Sequence, residues 1–99
     1  MAAYVIADVK VEDPVQYEDY KTMVPATIAA YGGRFIARGG RTEVLEGEWR
    51  PNRVVIIEFE SVERAKEWWA SEEYRAARDL RQRTSTGSLI VIEGLKVEG

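Results

Sequence analysis

The chain has 99 residues, with 14 Lys and Arg against 17 Asp and Glu, a formal charge of -3, 45% hydrophobic residues, and neither Cys nor His. A chain of this size buries roughly 65% of its unfolded surface, enough for one core, so a single domain over residues 1–99 is expected. The two missing residue types exclude a disulfide, a Cys nucleophile, a Ser-His-Asp triad, the usual zinc ligand sets and His-ligated haem.

Tyr4 to Val11 is short and β-rich and reads as the first strand. Asp13 and Pro14 open a helix, as a cap and a first helical residue. Within it Tyr17, Tyr20, Val24, Thr27, Ile28 and Tyr31 recur at core spacing. Pro25 removes one backbone bond and predicts a kink or a restart. Gly32-Gly33 ends the helix. Arg34 to Arg38 is the second strand. A bulge is expected at Gly39-Gly40, with Thr42 to Glu46 continuing or pairing nearby before a turn at Gly47. Arg53 to Glu60 is the third strand. Ser61 caps a helix carrying Ala65, Trp68 and Trp69, and Ser71 caps a second piece with Tyr74, Ala77 and Leu80. Ser85 to Ser88 breaks the pattern, Leu89 to Glu93 is the fourth strand, and a short polar tail follows.

The resulting order, β-α-β-β-α-β, predicts an α+β fold: the ferredoxin-like plait, a four-stranded antiparallel sheet with its helices on one face. Val5, Ala7, Val9, Phe35, Ala37, Val55, Ile57, Phe59, Ile90 and Ile92 are assigned beneath the helices. The opposite face receives Tyr4, Ile6, Ile36, Val54, Ile56, Leu89 and Val91, an apolar patch that soluble monomers rarely leave open. A second copy packed sheet to sheet is the simplest cover, burying roughly 1,200–2,000 Å². The acidic balance argues against nucleic acid. The apolar run Val54 to Ile57 is far short of the roughly 20 residues that span a bilayer. Met1 to Tyr4 carries no signal pattern, so a cytoplasmic protein without membrane partners is expected.

Chemistry is then left to carboxylates, Tyr, Lys, Arg, hydroxyls or a bound cofactor; the expectation is no cofactor and no metal site. Alternation assigns Asp8, Arg34, Arg38, Glu58 and Glu93 to the margin of the open face, with Asp8, Glu58 or Glu93 as general base and Arg34 or Arg38 as electrostatic stabiliser. The plainer alternative is an ion-pair set around a dimer seam. Tyr20 and Tyr74 have hydroxyls within reach of a cavity between helix and sheet, although buried tyrosines usually satisfy them structurally. Ser71 reads as a cap, because no His is present to activate it. Arg75, Arg78, Arg81 and Arg83 read as charges complementing a helix C-terminus.

The Asp13-Pro14 helix start, Tyr20, Tyr31-Gly32-Gly33-Arg34, Arg38-Gly39-Gly40, Leu45-Glu46-Gly47, Glu58-Phe59, the Ala65, Trp68, Ser71 and Tyr74 helix, Arg81 and Glu93-Gly94 occur together in one order. Over nearly the whole chain this combination resembles the small bacterial proteins called domain of unknown function 1330. The resemblance implies a ferredoxin-like protomer of the dimeric α+β barrel superfamily. Carried over by position, it points to Tyr20, Arg34, Ser71, Tyr74 and Arg81 as cavity or scaffold residues. That superfamily includes monooxygenases and isomerases, which implies a small ligand in a barrel cavity; relatives that depend on His are not matched. The expectation is a homodimer that binds or transforms a small anionic or carbonyl-bearing metabolite without a cofactor. The alternatives are a non-catalytic binding module and a purely structural dimer.

Overall fold

The structure, a computed structural model, describes residues 1–96; of the expected polar tail, residues 97–99 lie outside the described residues. Strand β1 (Ala3–Val11) is followed by helix α1 (Pro14–Ala30), strands β2 (Arg34–Arg38) and β3 (Arg53–Phe59), helices α2 (Val62–Ala70) and α3 (Glu72–Thr84), and strand β4 (Ser85–Glu93). The sheet is antiparallel, in the order β2-β3-β1-β4, with the split βαβ connections of the ferredoxin-like plait.

Each helix starts where its cap residue dictates. Asp13 accepts from the Gln16 amide at 3.1 Å with Pro14 as the first helical residue, and Ser61 accepts from the Arg64 amide at 3.0 Å. At Ser71 one hydroxyl does two tasks: Oγ accepts from the Tyr74 amide at 3.1 Å and donates to the Trp68 carbonyl at 2.7 Å, so the chain turns from α2 into α3 without an orphaned group. Helix α1 runs through Pro25 as one continuous helix, so the restart expected there does not occur. It ends at Ala30, with Tyr31 as its cap, and Gly32 just beyond turns the chain away at a φ of 72°, which a residue with a side chain adopts only with strain.

The core lies between the helices and one face of the sheet. Trp68 is its centre: fully buried, 5.3 Å from the Phe59 ring and 4.1 Å from the Tyr74 ring, with Nε1 donating to Thr27 Oγ1 at 3.1 Å. Pairing each apolar side chain with a satisfied polar tip is what lets Trp and Tyr be buried without the cost of an unmade hydrogen bond.

Four expectations are corrected. Strand β4 begins at Ser85, not Leu89, because the polar segment 85–88 pairs with β1 along the sheet edge. Its phase is also inverted. Leu89 stands opposite Ala7 and Val91 opposite Val5, so both pack on the core, while Ile90 (58% exposed) and Ile92 (51%) lie on the open face beside Ile6 and Tyr4. The bulge falls inside β2, between Phe35 and Ala37, rather than at Gly39-Gly40; it brings Ala37 opposite Ile56 on the open face and Arg38 opposite Val55 on the helix side. Finally, Thr42 to Glu46 forms no strand, and residues 39–52 are an irregular connection.

The open face therefore carries Tyr4, Ile6, Val54, Ile56, Ile90 and Ile92, together with Asp8 and Glu58. No helix of the described residues is long and apolar enough to cross a membrane.

Candidate functional site

Beneath α1 and α3 the core is interrupted by a small cavity of about 20 Å³, room for one water by volume. Its apolar wall includes Ala7, Val9, Val24, Val55, Ile57, Trp68 and Leu89. Its polar groups are Tyr17, Tyr20, Arg38, Arg53 and Arg81: three arginines and no carboxylate, on a chain whose net charge is -3.

Each polar group is placed by its element. Tyr17 and Tyr20, one turn apart on α1, point down onto the sheet with ring centroids 5.2 Å apart. Arg53 begins β3 in phase with Val55 and Ile57; its guanidinium donates to the Tyr17 hydroxyl at 3.2 Å and lies 5.5 Å from that ring. Arg38 reaches this side because of the β2 bulge, stacks 4.4 Å over Phe35 and donates to the Lys21 carbonyl at 2.6 Å. Arg81 comes from the last turn of α3 and donates through Nε to the Tyr74 hydroxyl at 3.3 Å; that hydroxyl is 3.1 Å from the Tyr20 hydroxyl. The result is a chain of polar tips, Arg81 to Tyr74 to Tyr20, running through an otherwise apolar interior.

Arg81 is the anomaly. It is only 8% exposed, yet among the described residues it has no carboxylate within 4.0 Å. Its position at the α3 C-terminus offers the helix dipole, worth at most about 2 kcal/mol, and Nε is bonded to Tyr74. No buried side-chain nitrogen among the described residues lacks a partner, so the rest of the guanidinium keeps contact with an outer hollow that Arg81 also borders, where an incoming anion can meet it. Burial pushes the Tyr20 hydroxyl far above its ordinary value of 10.0, with Tyr74 adding to the shift, and burial raises Tyr17 as well. Both tyrosines stay protonated at neutral pH and act as hydrogen-bond partners, not as bases. The site is electropositive, with neutral hydroxyls.

The residues singled out in the sequence divide between two places. Tyr20, Tyr74, Arg38 and Arg81 converge at or beside this cavity. Asp8, Arg34 and Glu58 lie on the open face. There Arg34 Nε donates to Glu58 Oε1 at 2.7 Å, while Asp8 accepts from the Asn52 amide at 2.8 Å and from Trp49 Nε1 at 3.0 Å. Those bonds, the Asn52 amide first, hold the Asp8 carboxyl below its ordinary 3.8. Glu93 shares the phase of Leu89 and Val91 and is exposed at the end of β4, so neither it nor Arg38 stands with the open-face group as alternation had assigned them. Ser71 is occupied as the α3 cap. Arg53 and Tyr17 were passed over as site residues. The signal for Arg53 was legible, an arginine in phase with the buried side of a strand. Among the described residues no three carboxylates gather as a metal site.

The family described as Domain of unknown function (DUF1330) matches residues 2–95 of this chain. The chain belongs to the DUF1330 family. No curated protein matches it. Among solved structures, this DUF1330 protein is similar to a protein of unknown function from Rhodopseudomonas palustris, with 21% identity, 97% of this chain and 84% of that one covered, and a TM-score of 0.76. It is also similar to a dimeric protein of unknown function and ferredoxin-like fold from Bacteroides fragilis, with 18% identity, 94% and 96% covered, and a TM-score of 0.64. A third is SnoaB, a cofactor-independent oxygenase from Streptomyces nogalater, with 15% identity, 97% and 94% covered, and a TM-score of 0.62. At these identities the likeness establishes that the DUF1330 chain shares their fold, and the fold alone.

Proposed function

We propose that this protein is a homodimer, joined through its open sheet face, that binds a small anionic or carbonyl-bearing molecule between the helices and the sheet. The observation that carries the reading is the buried Arg81 without a carboxylate, in a cavity whose charged lining is entirely arginine. An anion supplies the counter-charge that the described chain withholds. Arg81 is its partner, the Tyr74 and Tyr20 hydroxyls orient it, and Arg38 and Arg53 add positive potential. The cavity is small, so binding requires the side chains around it to give way or the ligand to enter only by its acid group.

Asp8, Glu58 and Glu93 do not line this cavity, which favours binding and electrostatic stabilisation over carboxylate base catalysis. If turnover occurs, it belongs to reactions in which negative charge grows on an oxygen facing Arg81, where fixed donors act most strongly. A protein of the same fold, SnoaB, is a cofactor-independent oxygenase, so small-molecule chemistry without a prosthetic group is within the reach of this architecture. A base role for Asp8 or Glu58 on the open face would require the dimer seam to enclose them.

Thermal melts with benzoate and neutral benzamide test the reading. Benzoate at a hundredfold excess over Kd contributes about 2.7 kcal/mol, a Tm rise on the order of 10 °C. Benzamide gives little, Arg81→Gln abolishes the rise, and Arg34→Gln keeps it. Equal rises with both compounds, or a rise surviving Arg81→Gln, would refute the site.

A further inference from the structure

We infer that the ligand is an amphiphilic acid, its anionic head on Arg81 and its apolar body laid along the groove between α2 and the edge strand β4. This rests on the anion-binding reading above and extends it to the class of ligand. Arg81 is the junction. Its side chain lines the inner cavity on one side and, on the other, an outer hollow of about 460 Å³ shared with Gln82, Ser85 and Thr86. Trp69 and Leu89 border that hollow and also a neighbouring one of about 370 Å³, whose wall is apolar apart from Lys66. The two hollows adjoin at these shared residues, polar at the α3 end and apolar at the α2 end, and each has the volume of a small-molecule site.

The groove exists because α2 ends at Ala70 and presents small residues, Ala65 and Ala70, toward an edge strand. Leu89 and Val91 are left only partly covered. Trp69, 44% exposed, stands over the boundary between the hollows; the Arg78 guanidinium lies 4.9 Å from its ring and donates to its carbonyl at 2.8 Å. Arg81, only 8% exposed as a whole residue, meets solvent at the floor of a hollow, where the slim end of a small molecule reaches it and the flat face of a protein does not. A head without a body leaves the apolar half of the track wet, and a body without a head leaves Arg81 unpaired. One molecule with both ends satisfies both.

Isothermal titration of the full chain with hexanoate, decanoate and decanol, at fixed ionic strength and below micelle formation, tests this. Affinity rises roughly two- to fourfold for each methylene added between hexanoate and decanoate. Decanol binds at least tenfold more weakly than decanoate, and Trp69→Ala weakens decanoate at least fivefold while hexanoate changes less than twofold. Equal affinities for the two acids overturn the groove and leave the anion site standing. Decanol binding as tightly as decanoate overturns the placement of the head on Arg81. No binding by either acid overturns the anion site itself.

Discussion

Gly87 shows how closely a single residue can be constrained. A Cβ built there would run into the Asp8 carbonyl oxygen on the neighbouring strand, at the place where β4 enters the sheet. Backbone cannot yield as a flexible side chain does, so Gly87→Ala destabilises the fold by about 1–3 kcal/mol, read as a shift in the urea midpoint at unchanged m-value. The buried tyrosines set a second constraint. Tyr17 and Tyr20 ionise with more difficulty folded than unfolded, principally through burial. Their contribution is complete below the ordinary tyrosine value of 10.0 and is lost as pH rises beyond it, because the unfolded chain gives up those protons first. Urea titrations at pH 9 and pH 11 show the loss, and Tyr20→Phe lessens it. At the acid end the sign reverses. Asp13, held low chiefly by the Gln16 amide, and Asp8 contribute above the ordinary 3.8 and cease to as pH falls below it.

At the scale of elements, Ser71 joins two helices with one hydroxyl. Ser71→Ala removes the α3 cap and the bond to Trp68 at once, costing about 1–2 kcal/mol; Ser71→Thr or Ser71→Asp recovers part of it, seen in thermal melts. Helix ends of this kind were legible in the sequence because caps are local: Asp13-Pro14, Ser61 and Ser71 each name a start. Strand phase was not legible where both faces are apolar. Leu89-Ile90-Val91-Ile92 satisfies either assignment by period alone, and only the pairing of Ala7 with Leu89 decides it. The start of β4 was hidden for a related reason: Ser85 to Ser88 is polar because an edge strand has water along one side. The β2 bulge is a third case. One extra residue turns Arg38 from the open face to the helix side, and with it the reading of which arginines share a site. Tyr20, Tyr74 and Arg81 were named from the family resemblance as cavity or scaffold residues, whereas their convergence, with Arg81 beside no carboxylate, exists only in three dimensions.

The whole molecule is a slab, 46 × 39 × 16 Å, with helices on one face of the sheet and an apolar row on the other. Ile90, Ile6 and Ile56 lie side by side across three strands, at the centre of the face on which the proposed dimer depends. Sedimentation at micromolar concentration is expected to report twice the 11.3 kDa chain mass, and Ile6→Glu, which sets a charge in that row, to report the chain mass. A wild-type monomer would remove the dimer while leaving the Arg81 cavity, which a single chain forms, in place. The decisive measurement therefore addresses Arg81 directly: its side-chain Nε–H resonance, assigned by loss in Arg81→Gln, followed by NMR during a benzoate titration at constant ionic strength. A saturable displacement of that resonance is expected, with Arg34 and Arg75 unmoved. A stationary Arg81 signal while exposed arginines drift without saturating would rule out anion binding at Arg81.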